Sequence, residues 1–221
     1  MRAAGILLLL VLVLPAKAQG ERPASFVDAA TVVPGLVVEM RYFGDNNFVG
    51  RRIDGYEKPV CLLTHQATAA LADVARDLAP RGLKLKVFDC YRPARAVAHF
   101  LRWARAVDDI RTKQTFYPDM DKRRLFTDGY IATRSGHSRG STIDLTLADG
   151  NGELDMGTPY DFLSPRSAAS DVTVSAQAHA NRALLASAMR RRGFRPYAKE
   201  WWHFTLRVEP FPDTYFDFPV R

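Results

Sequence analysis

The chain has 221 residues, 47% apolar and 25% charged, with a formal net charge of +7. That length and balance suit one compact domain with its own core, and no repeat or low-complexity segment interrupts it. The basic excess is modest and scattered apart from Arg190-Arg191-Arg192, so a nucleic-acid partner, which calls for a dense basic stripe interleaved with aromatics, is not expected.

Taken in chain order, the first signal is a positive start at Met1-Arg2, an apolar run from Ile6 to Leu14, and Ala16-Lys17-Ala18 before Gln19. This is the order of a secretory leader with a small-x-small cleavage site. The run is shorter than the roughly 20 apolar residues that span a bilayer. A cleaved leader at 1–18 and a mature domain at 19–221 are expected, in preference to an uncleaved anchor. No second apolar stretch follows, so no stable membrane insertion of the mature chain is expected.

Leu36 to Tyr42 reads as a strand running into the turn-prone Gly44-Asp45-Asn46-Asn47. Thr64 is placed to cap a helix through Ala79, whose Ala67, Leu71, Val74 and Leu78 share a face. Leu83 to Asp89 alternates as a strand does. Pro93 suits the first turn of the next helix, which buries Ala96, Val97, Phe100, Leu101 and Ala104. Residues 108–128 lack a steady period and read as loop with short helical pieces. Ser135 to Gly140 is a loop, Ser141 to Leu147 a strand, and Asp149-Gly150-Asn151-Gly152 a turn. Ser175 opens a helix that Gly193 stops. Glu200 to Leu206 is the last strand, and the aromatic, proline-rich tail packs over the domain. Helices and strands without βαβ alternation predict an α+β single domain, helices on a central antiparallel sheet. Cys61 and Cys90 permit one disulfide in an exported protein; two buried thiols are the alternative.

Five histidines occur, and His65, His99 and His179 lie in predicted helices without a ligand-type neighbour at helical spacing. His137 sits in a glycine- and serine-rich loop, and Asp144 lies seven residues later in an otherwise uncharged strand. A carboxylate there must be ion-paired, hydrogen-bonded or metal-bound; an arginine partner and a metal are equal readings. In Glu200-Trp201-Trp202-His203 a glutamate three residues before a histidine could act as base beside a metal-activated water. Because a regular strand turns positions three apart to opposite faces, a bend or bulge is predicted at Glu200-Trp201. Arg92, at the junction Asp89-Cys90-Tyr91-Arg92-Pro93, either stabilises an oxyanion or pairs with Asp89 or Asp144.

The order and wording of these pieces resemble the VanX-type D-alanyl-D-alanine dipeptidases, zinc peptidases grouped with the D-Ala-D-Ala carboxypeptidases. The likeness runs through Met40-Arg41-Tyr42, Asp45-Asn46-Asn47-Phe48, Tyr91-Arg92-Pro93, Ser135 to Ser141, Ile143 to Leu147, Met156-Gly157, Asp161-Phe162, Glu200 to His203 and Tyr215 to Pro219. It implies one Zn2+ held by His137, Asp144 and His203, Glu200 as catalytic base, and Arg92 as transition-state stabiliser. It also implies that Tyr42, Ser135 and Asp161 line the pocket for a small dipeptide, Asp161 meeting its ammonium group. Cys90 replaces an expected glycine. The leader is the larger departure: cytoplasmic members destroy newly made D-Ala-D-Ala and confer glycopeptide resistance, whereas an exported enzyme meets dipeptide freed by cell-wall turnover. The rival readings are a carboxypeptidase acting on peptidoglycan stems and a non-catalytic zinc-containing wall-binding module.

Overall fold

The computed structural model describes residues 20–221; the leader expected at 1–18 lies outside the described residues. Strands β1 (Phe26–Asp28), β2 (Val37–Val38) and β3 (Leu62–Thr64) lead into α1 (His65–Leu78), β4 (Lys84–Asp89), α2 (Ala94–Arg105) and the short α3 (Lys113–Phe116). β5 (Thr142–Asp149), β6 (Gly152–Glu153), α4 (Ala176–Arg191), β7 (Phe194–Tyr197) and β8 (Glu200–Leu206) complete the domain.

Caps set the two long helices: the Thr64 side chain accepts from Ala67 N and that of Ser175 from Ala178 N, each satisfying an amide left free in a first turn. Pro93 stands at the N-cap of α2, one position before the expected first turn. Its fixed φ and missing N–H suit either place.

The main sheet runs β2-β4-β5-β8-β7, with β6 paired to β5; β1 and β3 form a separate antiparallel pair. The sheet is mixed where an antiparallel one was expected, because β2 joins β4 in parallel. The expected strand at 36–42 shrinks to Val37–Val38, and Arg41–Phe43 coils into a 3-10 turn that buries Tyr42. β7 carries Pro196, which obscured its strand pattern; it lies at the sheet edge, where a missing N–H is tolerated.

Helices α1 and α4 pack on each other and on the sheet. Leu71, Val74, Leu78, Leu185 and Met189 join Leu85, Val87, Ile143, Leu145 and Leu147 in the core. In β5 the alternate residues are Thr142, Asp144 and Thr146, so the same alternation that buries three aliphatic side chains turns Asp144 to the other face. The tail closes over the domain as expected. Phe218 stacks on Tyr91, whose hydroxyl accepts from Phe218 N and donates to Phe218 O, and Arg95 pairs with Asp217. Among the described residues no helix is long and apolar enough to cross a membrane.

Candidate active site

Strand pairing assembles the first half of the site. Asp144 in β5 is registered directly opposite His203 in β8, so the two side chains share a face. On the other side of β5, a register shift in β4 after Val87 sets Asp89 opposite Asp144; such a shift turns a side chain that simple alternation would send into the core. The irregularity anticipated in β8 is present. Tyr197 pairs with Glu200 while its neighbour Pro196 pairs with Phe204, so the residues between are bulged. Glu200 and His203 thereby come to one side, with Oε2 of Glu200 3.6 Å from Nδ1 of His203.

His137 enters from the 3-10 turn Gly136–Arg139, where the Ser135 hydroxyl accepts from the His137 amide. The turn ends at Gly140, in the left-handed region at φ 79°, where a Cβ would overlap the ring of Phe26. Nδ1 of His137 lies 2.7 Å from the Cys90 carbonyl, and the Arg92 amide donates back to the His137 carbonyl. A proton on Nδ1 leaves Nε2 with a free lone pair, the orientation that outer partners give a ligand histidine. Cys90 is bonded to Cys61, tying this carbonyl to the start of β3.

His137 Nε2, Asp144 Oδ1 and His203 Nδ1 form a triangle with edges of 3.2, 3.0 and 3.3 Å. Tetrahedral bonds of about 2.0–2.1 Å to zinc would set donors roughly 3.3 Å apart. Asp144 Oδ1 is buried and has no hydrogen-bond partner despite both nitrogens being near, as expected of an atom aimed at a shared point between them. Donor types, spacing and this unsatisfied oxygen all fit a zinc ion. His65, His99 and His179 stand elsewhere: His65 lies against the Ala24 carbonyl, His99 against Asp54, and His179 is exposed.

Around the triangle the site has an excess of buried acid. Burial pushes the Glu200 carboxyl up to about 7. Burial, reinforced by Asp144, pushes Asp161 well above the carboxylate range. Burial opposes ionisation of Asp144 too, but the two histidines hold its carboxyl below the usual range. Arg92 is committed to Asp89, at 2.8–2.9 Å, with Asp144 at 3.7 Å. It also lies over the rings of Tyr42 and Phe100. Both pairings weighed from sequence are therefore made, and Arg92 still lines the cavity. Asp89 in turn accepts from Tyr56 at 2.6 Å.

The cavity, about 260 Å³, is lined by Tyr42, Ser135 and Asp161 as well as Arg92, Asp144, Glu200 and His203. It lies below the roughly 300–1,000 Å³ of most small-molecule sites. Asp161 is held at φ 62°, an uncommon conformation that aspartate tolerates better than most residues. Tyr42 donates to its Oδ1, and its buried Oδ2 has no partner among the described residues. The buried Arg182 fastens this segment by donating to the Met156 and Ala168 carbonyls. Sequence reasoning missed Tyr160, which donates to Asp144 Oδ2. It also missed Arg134 at the cavity lip. Tyr160 lies in an aperiodic loop, and its adjacency to Asp161 was the only signal available.

Comparison with known proteins places nearly the whole described chain in one family. The Peptidase_M15 family model, described as D-ala-D-ala dipeptidase, matches residues 22–221. A D-alanyl-D-alanine dipeptidase of Enterococcus faecium is 40% identical over 86% of this chain and 95% of its own length. One from Streptomyces coelicolor is 43% identical over 89% and 97%, and one from Escherichia coli 36% identical over 81% and 83%. Among solved structures, the zinc complex of the vancomycin-resistance D,D-pentapeptidase VanY aligns with a TM-score of 0.40 and 14% identity over 71% of this chain and 78% of that one, too remote to add to the argument.

Proposed function

The chain belongs to the D-Ala-D-Ala dipeptidase family, and we propose that it is a zinc enzyme that splits free D-alanyl-D-alanine into two D-alanines, exported and acting in cell-wall turnover or salvage. The observation that carries the chemistry is the triangle of buried His137 and Asp144 with the partly buried His203, and Glu200 beside it in one small cavity. Export and the wall-related role rest on the leader-like first 18 residues alone.

His137, Asp144 and His203 would hold one Zn2+, which supplies Lewis acidity for the scissile carbonyl and for a water. Glu200 takes the proton of the attacking water at its carboxylate and passes it to the leaving amine. Its raised affinity for a proton suits both halves of that transfer. Arg92, oriented by Asp89, donates to the oxygen that gains charge as the carbonyl becomes tetrahedral. Asp161 receives the substrate ammonium at its open Oδ2, and Tyr42 fixes the carboxylate for it. Ser135 shapes the wall beside His137.

A dipeptidase must hold both charged ends of a zwitterion, whereas a carboxypeptidase needs a groove that continues along the peptide stem. Asp161, 4% exposed, closes the end where a stem would pass. A wall-binding module without catalysis would need neither Glu200 nor Arg92. The deciding experiment incubates mature protein with D-Ala-D-Ala, L-Ala-L-Ala and a peptidoglycan pentapeptide, with and without chelator. Hydrolysis confined to the D,D-dipeptide and lost on chelation is expected. D-Ala release from the pentapeptide at equal efficiency would place the enzyme among the carboxypeptidases, and no turnover of any substrate would leave only the binding module.

A further inference from the structure

We propose that Arg134 is a specificity residue that recognises the C-terminal carboxylate of the dipeptide, an inference that rests on the dipeptidase reading above. A zwitterionic substrate brings one cation and one anion into a small cavity. Asp161 offers an open carboxylate oxygen to the cation. For the anion the cavity wall presents two arginines, Arg92 and Arg134. Arg92 is spent: Asp89 takes two of its nitrogens, and the reacting carbonyl calls on what remains. Arg134 is exposed at the lip and pairs with no carboxylate among the described residues. Glu209 is held by Nε and Nη2 of Arg139, at 2.7 Å each. The guanidinium of Arg134 instead lies over the face of Tyr215, 4.9 Å from the ring centre. That contact steadies the planar group and leaves its N–H edge available for an anion.

Position supports the charge argument. Arg134 directly precedes Ser135, which caps the His137 turn and lies 3.5 Å from Arg92. The peptide carbonyl is attacked between Arg92 and the three ligand residues, and the terminal carboxylate stands only one residue beyond the scissile bond. A buried carboxylate for the ammonium and a lip arginine for the carboxylate thus bracket a substrate of two residues. Longer chains would lose one contact or the other.

The test compares D-Ala-D-Ala with its C-terminal amide in wild type, Arg134→Ala and Arg134→Lys. Loss of a charge-assisted contact at an exposed site should raise KM for the acid roughly tenfold in Arg134→Ala, with kcat affected far less. The preference for acid over amide should collapse toward one, and Arg134→Lys should recover most of it. An acid-to-amide ratio that stays at the wild-type value in Arg134→Ala, or a fall confined to kcat, overturns the assignment while leaving the dipeptidase reading intact. No turnover of D-Ala-D-Ala by wild type overturns both. Thermal unfolding of each variant, expected at the wild-type temperature for so exposed a side chain, separates recognition from folding; an equal loss on both substrates with lowered stability counts against the proposal.

Discussion

Two carboxyl groups in one cavity have different surroundings, and the proposed role of each follows from what it touches. Glu200 lies 3.6 Å from His203 and is pushed up to about 7 by burial, which suits the proposed role of base and then acid. Glu200→Gln removes the proton acceptor and keeps the shape. A loss of turnover of about a hundred- to ten-thousandfold is expected, with one zinc per chain retained by elemental analysis; full activity in that variant would rule Glu200 out as base. Asp161 accepts one bond from Tyr42 and leaves Oδ2 free. Asp161→Asn should raise KM for D-Ala-D-Ala roughly ten- to a hundredfold, the scale of a lost charge-assisted contact, and should leave kcat less affected. Steady-state kinetics on the pair distinguish the roles, since each substitution is expected to act on a different constant.

Among the elements, the turn that carries His137 is fixed from several sides. Ser135 caps it, Gly140 ends it with a left-handed residue against Phe26, and the Cys90 carbonyl meets the histidine ring. Gly140→Ala combines left-handed strain of roughly 1–2 kcal/mol with overpacking against an aromatic ring worth about 1–3 kcal/mol. A destabilisation of about 2–5 kcal/mol in chemical denaturation is the expected outcome, and a neutral result would show that neither the left-handed turn nor Phe26 resists a side chain there. The bond between Cys61 and Cys90 closes a separation of 29 residues. Replacing both cysteines by alanine should cost roughly 3–4 kcal/mol through the freer unfolded chain, read as a lower denaturation midpoint than in the wild type under non-reducing conditions. Equal midpoints would mean that the bond contributes no net stability. The strands were legible in the sequence where alternation was strong, as in β4 and β5. β7 was not, because Pro196 breaks the strand pattern and only an edge position makes it acceptable.

Across the whole molecule, the core lies between the sheet and the α1 and α4 pair, while the opposite side of β5 carries Asp144 of the candidate metal site. Asp89, Asp144, Asp161 and Glu200 gather there around one paired guanidinium, and burial opposes the charged form of each, so a bound cation is expected to favour their ionised state. Removing the metal should therefore abolish activity and also lower the unfolding temperature. Binding to the folded state alone contributes about 4 kcal/mol when the free ligand is a thousandfold above its Kd. Calorimetry with chelator, then with zinc restored, checks this; an unfolding temperature indifferent to both would show that the triangle holds no structural ion.

Sequence by itself determined the α+β class, the main helices with their caps, and the motifs Ser135 to Ser141 and Glu200 to His203. These are local: a cap needs three residues and a helix face seven, so neighbouring letters suffice. Even the β8 bulge was legible, because a glutamate and a histidine three apart cannot share a face of a regular strand. What only the tertiary structure decided was every relation across the sheet. His203 meets Asp144 through β5–β8 register, Asp89 reaches Asp144 through a shift in β4, and β2 joins the sheet in parallel. Tyr160, Arg134 and the Cys90 carbonyl came to light only there as well. Register and loop placement depend on burying the whole core at once, and no short window of sequence contains that condition.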